Sequence, residues 1–152
     1  MTIQDIMIGD WVFFPEINRH VVVTTIYDNG MITVTDQVTP SLANRYMRTC
    51  DKFEPILLTA EILEKNGFES VLAEDDTECY HYFNSAADGY IKISLYNGGD
   101  GDWSIKIVNY KKFDDNEIAY SNNFIFLKVY ELQHALKLCG IKKQIELSAT
   151  HE

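Results

Sequence analysis

The sequence predicts an α+β chain. An N-terminal SH3-like small β-barrel over residues 1–56 is followed by an α+β domain over residues 57–152, in which two short helices flank an antiparallel β-meander. Three observations carry that expectation. The first 55 residues hold short β-branched and aromatic runs with almost no helical periodicity. Residues 55–68 then spell out a short helix with signals at both ends. Beyond it, apolar and polar residues alternate over 90–96 and 103–107, the pattern of an antiparallel sheet with one wet face.

In the first module, Trp11-Val12-Phe13-Phe14 is apolar and closes at Pro15, and residues 21–27 are β-branched almost throughout. Asn29-Gly30 before Met31–Thr35 predicts a type I′ hairpin turn, which needs positive φ at both central residues. A further strand is expected over 45–50. Closing four or five such strands into a barrel would protect their edges. Pro55 holds Glu54 extended and ends the run.

The following helix is written in full. Thr59 is an N-cap, Glu61 suits the positive end of the helix dipole, and Leu58 and Leu63 have hydrophobic-staple spacing. Gly67 permits the left-handed stop, and Phe68 can fold back. Strands are expected over 68–73, 79–83, 90–96, 103–108 and 123–128, with 97–102 as a hairpin loop. Val129, Leu132, Leu136 and Cys139 form one apolar stripe of a second helix, with Glu131 in its first turn, Lys137 in its last and Gly140 beyond it. Residues 141–147 read as extended and 148–152 as a fraying end. Both helices are expected on the buried face of the meander, or one there and one on its partner module.

Charge and cysteines narrow the function. Thirteen Lys plus Arg against 23 Asp plus Glu give a formal charge of −10, which disfavours general binding to phosphate backbones. Cys50, Cys79 and Cys139 are odd in number and lack CxxC spacing, as expected of free thiols in a reducing compartment. The first residues lack a signal-peptide pattern, and no apolar run approaches the ~20 residues that cross a bilayer, so a cytoplasmic protein without membrane contact is expected.

No catalytic residue, metal site or cofactor is expected. Cys79 and His81 would point the same way on a strand, but no second ligand pair accompanies them, and nothing nearby resembles a nucleophile motif. Asp100-Gly101-Asp102 has the look of a calcium-loop fragment, yet Lys111 stands where the bidentate acid belongs. What remains is a candidate interaction surface. It comprises the acidic run Glu74, Asp75, Asp76 and Glu78, the tyrosines Tyr80 and Tyr82 (with Tyr90 and Tyr96 on the neighbouring strand), and the loop acids Asp100 and Asp102.

Several stretches resemble one family over nearly the whole chain. Ile8-Gly9-Asp10-Trp11-Val12 is similar to its "IGNWV" signature. Residues 54–69, EPILLTAEILEKNGFE, are similar to its "PIPLTEEILLKNGFE" helix, and residues 129–136, VYELQHAL, to its "VHELQNAL" segment. Its members are small proteins of unassigned activity carried by Bacteroidales phages, prophages and other mobile elements. The resemblance implies an architecture and a genomic setting, and no reaction. Tyr130 and His134 stand where the family has His and Asn, so that block recurs through the packing of Leu132 and Leu136 rather than as a polar site. The expected function is a non-enzymatic protein-interaction module of a phage or mobile element. The alternatives are an acidic nucleic-acid mimic inhibiting a host enzyme, and a small hydrolytic or ligand-binding enzyme.

Overall fold

A computed structural model describes residues 1–36, 44–72, 78–86, 89–98, 103–111, 124–126, 128–138 and 140–147. It is α+β, with a four-stranded and a five-stranded antiparallel sheet and two short α-helices. No described helix is long and apolar enough to cross a membrane. Contacts divide the chain into two compact units, Met1–Leu57 with Lys128–Lys137 and Ile141–Glu152, and Leu58–Leu127 with Leu138–Gly140.

The first unit is built on β1 (Trp11–Phe14), β2 (Arg19–Ile26), β3 (Met31–Thr35) and β4 (Arg45–Thr49), in the order β1-β2-β3-β4. Alternation sends Val12, Phe14, Val21, Val23, Ile32 and Val34 into one core with Ile6, Cys50 and Phe53. Trp11 and its register partner Val22 lie on the opposite face and are buried as well. At the free edge of β1, Phe13 and Glu54 exchange two backbone hydrogen bonds of 2.9 Å. A bulge between Val23 and Thr25 interrupts the register of β2 with β3, which bends the strand.

The β2–β3 hairpin falls where Asn29-Gly30 places it, but its turn is not type I′. Gly30 has φ +83°, whereas Asn29 does not take a positive φ. Gly30 N–H donates to the Tyr27 carbonyl and Tyr27 N–H to the Met31 carbonyl, so Asp28-Asn29-Gly30 forms a three-residue loop ending in a left-handed glycine. The Asn29 side chain is used instead as an acceptor for Met31 N–H, 3.1 Å away.

The second unit begins with α1 (Ala60–Lys65). Thr59 Oγ1 accepts from Ile62 N–H, and Leu58 and Leu63 are buried as the staple requires. Gly67 at φ +78° ends the helix, with Phe68 N–H on the Leu63 carbonyl and Gly67 N–H on that of Glu64, the Schellman pair. The sheet follows as β5 (Glu69–Leu72), β6 (Glu78–Ala86), β7 (Gly89–Asn97), β8 (Trp103–Lys111) and β9 (Phe124–Phe126), in sequence order. Its inner face carries Tyr80, Ile93, Leu95, Trp103, Ile105 and Ile107, all buried. The Trp103 indole donates to the Leu58 carbonyl, tying the sheet to the segment that enters α1.

Helix α2 (Val129–Leu138) buries Val129, Tyr130, Leu132, Ala135 and Leu136. Glu131 reaches back to the Lys128 N–H at 3.0 Å, half of a capping box. Gly140 at φ +73° ends the helix, with Ile141 N–H on the Leu136 carbonyl. The division at residue 56 groups this helix with the meander, but its contacts place most of it in the first unit. There Leu57 and Lys128 form a β-bridge, and Val129 N–H donates to the Ile56 carbonyl. Residues 141–147 form no strand, although Ile141 and Ile145 are buried.

Candidate functional site

Cys79 and His81 do share a face of the second sheet, the outer one. Register sets Tyr96 opposite Cys79 and Ser94 opposite His81. Burial pushes the Cys79 thiol up, with Lys92 and hydrogen bonds from Tyr96 and the Leu95 backbone opposing it in part. A thiol held protonated is not an activated nucleophile. Burial, and then the Lys92 charge, push His81 down. Its ring meets Phe83 edge-on at 6.2 Å, and Lys92 lies 5.9 Å from the Phe83 ring centre. Among the described residues, no three His, Cys, Asp or Glu side chains gather to hold a metal ion.

Of the expected interaction residues, the structure describes Glu78, Tyr80 and Tyr82. Glu74, Asp75, Asp76, Asp100 and Asp102 lie outside the described residues. Tyr80 is a core residue, 1% exposed, on the inner face against Trp103 with ring centres 5.7 Å apart. Its hydroxyl donates to Glu78 at 2.6 Å. Burial, then the Glu78 hydrogen bond and charge, push its pKa up to about 12. Tyr82 is half-buried against Phe68, ring centres 5.3 Å apart. Tyr80 pairs with Leu95 and Cys79 with Tyr96, so Tyr80 and Tyr96 point to opposite faces. Tyr80 and Tyr82 therefore share the inner face while Tyr96 lies on the other, so the register does not bring these three together.

What the sheet does expose is its β5 edge. Among the described residues, β5 pairs with β6 on one side and ends the strand order on the other. All four of its residues are exposed, with Leu72 at 74% and Val71 at 39%. Phe83, half exposed, adds apolar surface on the same outer face as Val71. A strand edge of this kind offers backbone N–H and C=O groups in register for another strand. The sequence reading identified the strand but not its terminal place, since strand order is a tertiary property.

In the first unit the notable polar feature is the pair Asp10–His134. Asp10 is buried at the start of β1, and its Oδ2 accepts Met7 N–H at 2.6 Å and lies 2.8 Å from His134 Nε2 on α2. Burial raises the Asp10 pKa, with the Met7 hydrogen bond and His134 opposing. The His134 ring also lies 5.6 Å from that of Tyr130. This pair ties α2 to the segment that enters β1. No protein-family model, curated protein or solved structure matches the chain.

Proposed function

We propose that this chain is a non-enzymatic protein-interaction module that receives an extended polypeptide segment at the β5 edge. The observation that carries the reading is the edge itself, a terminal strand with every residue exposed and two aliphatic side chains turned to water. Strand addition would satisfy its backbone groups and cover Val71 and Leu72. The partner's character follows from charge: residues 69–78 include Glu69, Glu74, Asp75, Asp76 and Glu78 and no Lys or Arg. The segment that fits is extended, alternates β-branched residues with basic ones, and is complementary in sign.

The unactivated Cys79 thiol favours binding over catalysis. Asp10, Asp36, Glu16 and Glu131 turn toward His134, Arg19, Arg48 and Lys128 of this chain. That use of carboxylates favours a protein-binding module over a nucleic-acid mimic. An SH3-like barrel for the first unit draws support from the order β1-β2-β3-β4, the bridge of β1 to Glu54, the 3₁₀ turn over Cys50–Lys52 before it and the bulge in β2. The sequence resemblance supports a phage or mobile-element setting and, with the free thiols, a cytoplasmic one.

The test is selection of peptides from a random library on the immobilised full chain. Enriched peptides should alternate β-branched and basic residues, and binding should weaken at least about tenfold in Leu72→Lys and Val71→Lys. Both side chains are exposed, so these variants should fold as the parent does. Peptides that bind the variants undiminished would refute the site. Turnover in a substrate screen would refute the non-enzymatic reading.

A further inference from the structure

We propose that a groove on the outward face of β2, β3 and β4 binds a small phosphate ester, with Arg45 holding the phosphate. The groove has a volume of about 470 Å³, and Thr24, Thr25, Tyr27, Thr33, Arg45 and Met47 are among the residues lining it.

Its construction starts from strand alternation. Ile32 and Val34 point into the core, so Thr33 points outward, with Thr25 and Met47 as its register neighbours on either side. In a regular strand Thr24 and Thr25 would face opposite sides. The bulge between Val23 and Thr25 breaks the alternation, and both threonines line the groove. A bulge that re-aims a side chain in this way is a recurrent device beside binding sites. Thr24 Oγ1 donates to the Thr33 carbonyl at 3.1 Å, and Thr33 Oγ1 donates only weakly to the Tyr27 hydroxyl at 3.5 Å. Hydroxyls of Thr25, Thr33 and Tyr27 remain to serve a ligand.

Arg45 sets the sign of that ligand. The chain has three arginines and 23 carboxylate side chains. Arg19 binds Asp36 and Arg48 binds Glu16, each at 3.1 Å. Arg45, exposed in the groove, meets no carboxylate among the described residues. An uncommitted guanidinium offers a planar fork matched to an oxyanion. A carboxylate would be satisfied by that fork alone. A phosphate monoester has three terminal oxygens and can take the fork and the hydroxyls together. Met47 and Tyr27, 49% and 39% exposed, form a partly apolar wall for the organic part of the ester.

The site is independent of strand docking at β5. The test titrates the full chain with inorganic phosphate, with the four common nucleoside monophosphates, and with acetate and citrate, followed by backbone amide shifts. Saturable shifts at residues 24–27, 33 and 45–47 are expected, stronger with a nucleoside monophosphate than with phosphate alone. Arg45→Lys should weaken binding at least about fivefold and Arg45→Ala should abolish it, both with the parent's unfolding midpoint. Thr33→Val should weaken it while leaving the fold intact. Absence of saturable shifts with every phosphate probe at millimolar concentration, or shifts that persist in Arg45→Ala, would overturn the site. Carboxylates that bind as tightly as phosphates would overturn the ligand class.

Discussion

Replacing Asp10 with alanine removes two interactions from one buried oxygen. Asp10 is 3% exposed, and its Oδ2 serves Met7 N–H at 2.6 Å and His134 Nε2 at 2.8 Å. Hydrogen bonds to a charged group contribute about 1.5–3 kcal/mol each, and breaking a buried pair costs about 3–5 kcal/mol. Against this stands the cost of burying the carboxylate, which is large enough to raise its pKa. The net loss expected for Asp10→Ala is about 2–4 kcal/mol. Asp10→Asn keeps an acceptor for Met7 and a donor for a neutral imidazole, and should cost about 1 kcal/mol or less. Because the folded-state pKa lies above the ordinary 3.8, the native state holds this proton more tightly than the unfolded chain does. The favourable contribution of protonated Asp10 is therefore complete below the ordinary carboxylate range and is lost as pH rises through the raised value. Urea unfolding followed by circular dichroism across that range measures both effects, and an Asp10→Ala, His134→Ala cycle isolates the pair. A loss under about 0.5 kcal/mol for Asp10→Ala, or a pH dependence unchanged in Asp10→Asn, would refute the reasoning.

Three further outcomes follow from the packing. Leu63→Ala empties a fully buried position beneath α1 and should cost about 2–5 kcal/mol in chemical denaturation, whereas Thr59→Ala, which loses only the cap, should cost about 1 kcal/mol. Gly67→Ala places a side chain at φ +78° and should cost about 1 kcal/mol by the same assay, despite open space around the position. Cys50 and Cys79 are buried with thiols pushed up, so iodoacetamide mapped by peptide mass should label them slowly in the native chain and rapidly in denaturant.

The legibility of each part follows the range of the forces that set it. α1 was readable because Thr59, Leu63, Gly67 and Phe68 act within one helical turn of its ends. The strands over 90–96 and 103–108 were readable because burial on one face imposes alternation locally. The site of the β2–β3 turn was readable, but its type depended on how much positive φ the flanking register demanded, and Gly30 alone supplies it. The interaction surface was misread at Tyr80 because facing depends on register between β6 and β7, which no local pattern sets. The home of α2 was equally hidden, since Asp10 and His134 lie 124 residues apart. No local pattern marked the groove, because the bulge that brings Thr24 and Thr25 to one side belongs to the pairing of β2 with β3.

Strand docking at β5 is tested most directly by amide hydrogen exchange on the full chain with and without a selected basic, β-branched peptide. Slowed exchange at backbone amides of Glu69–Leu72 is predicted, since a new ladder would protect an edge that water now reaches. Bound peptide with exchange at those four residues unchanged would contradict it.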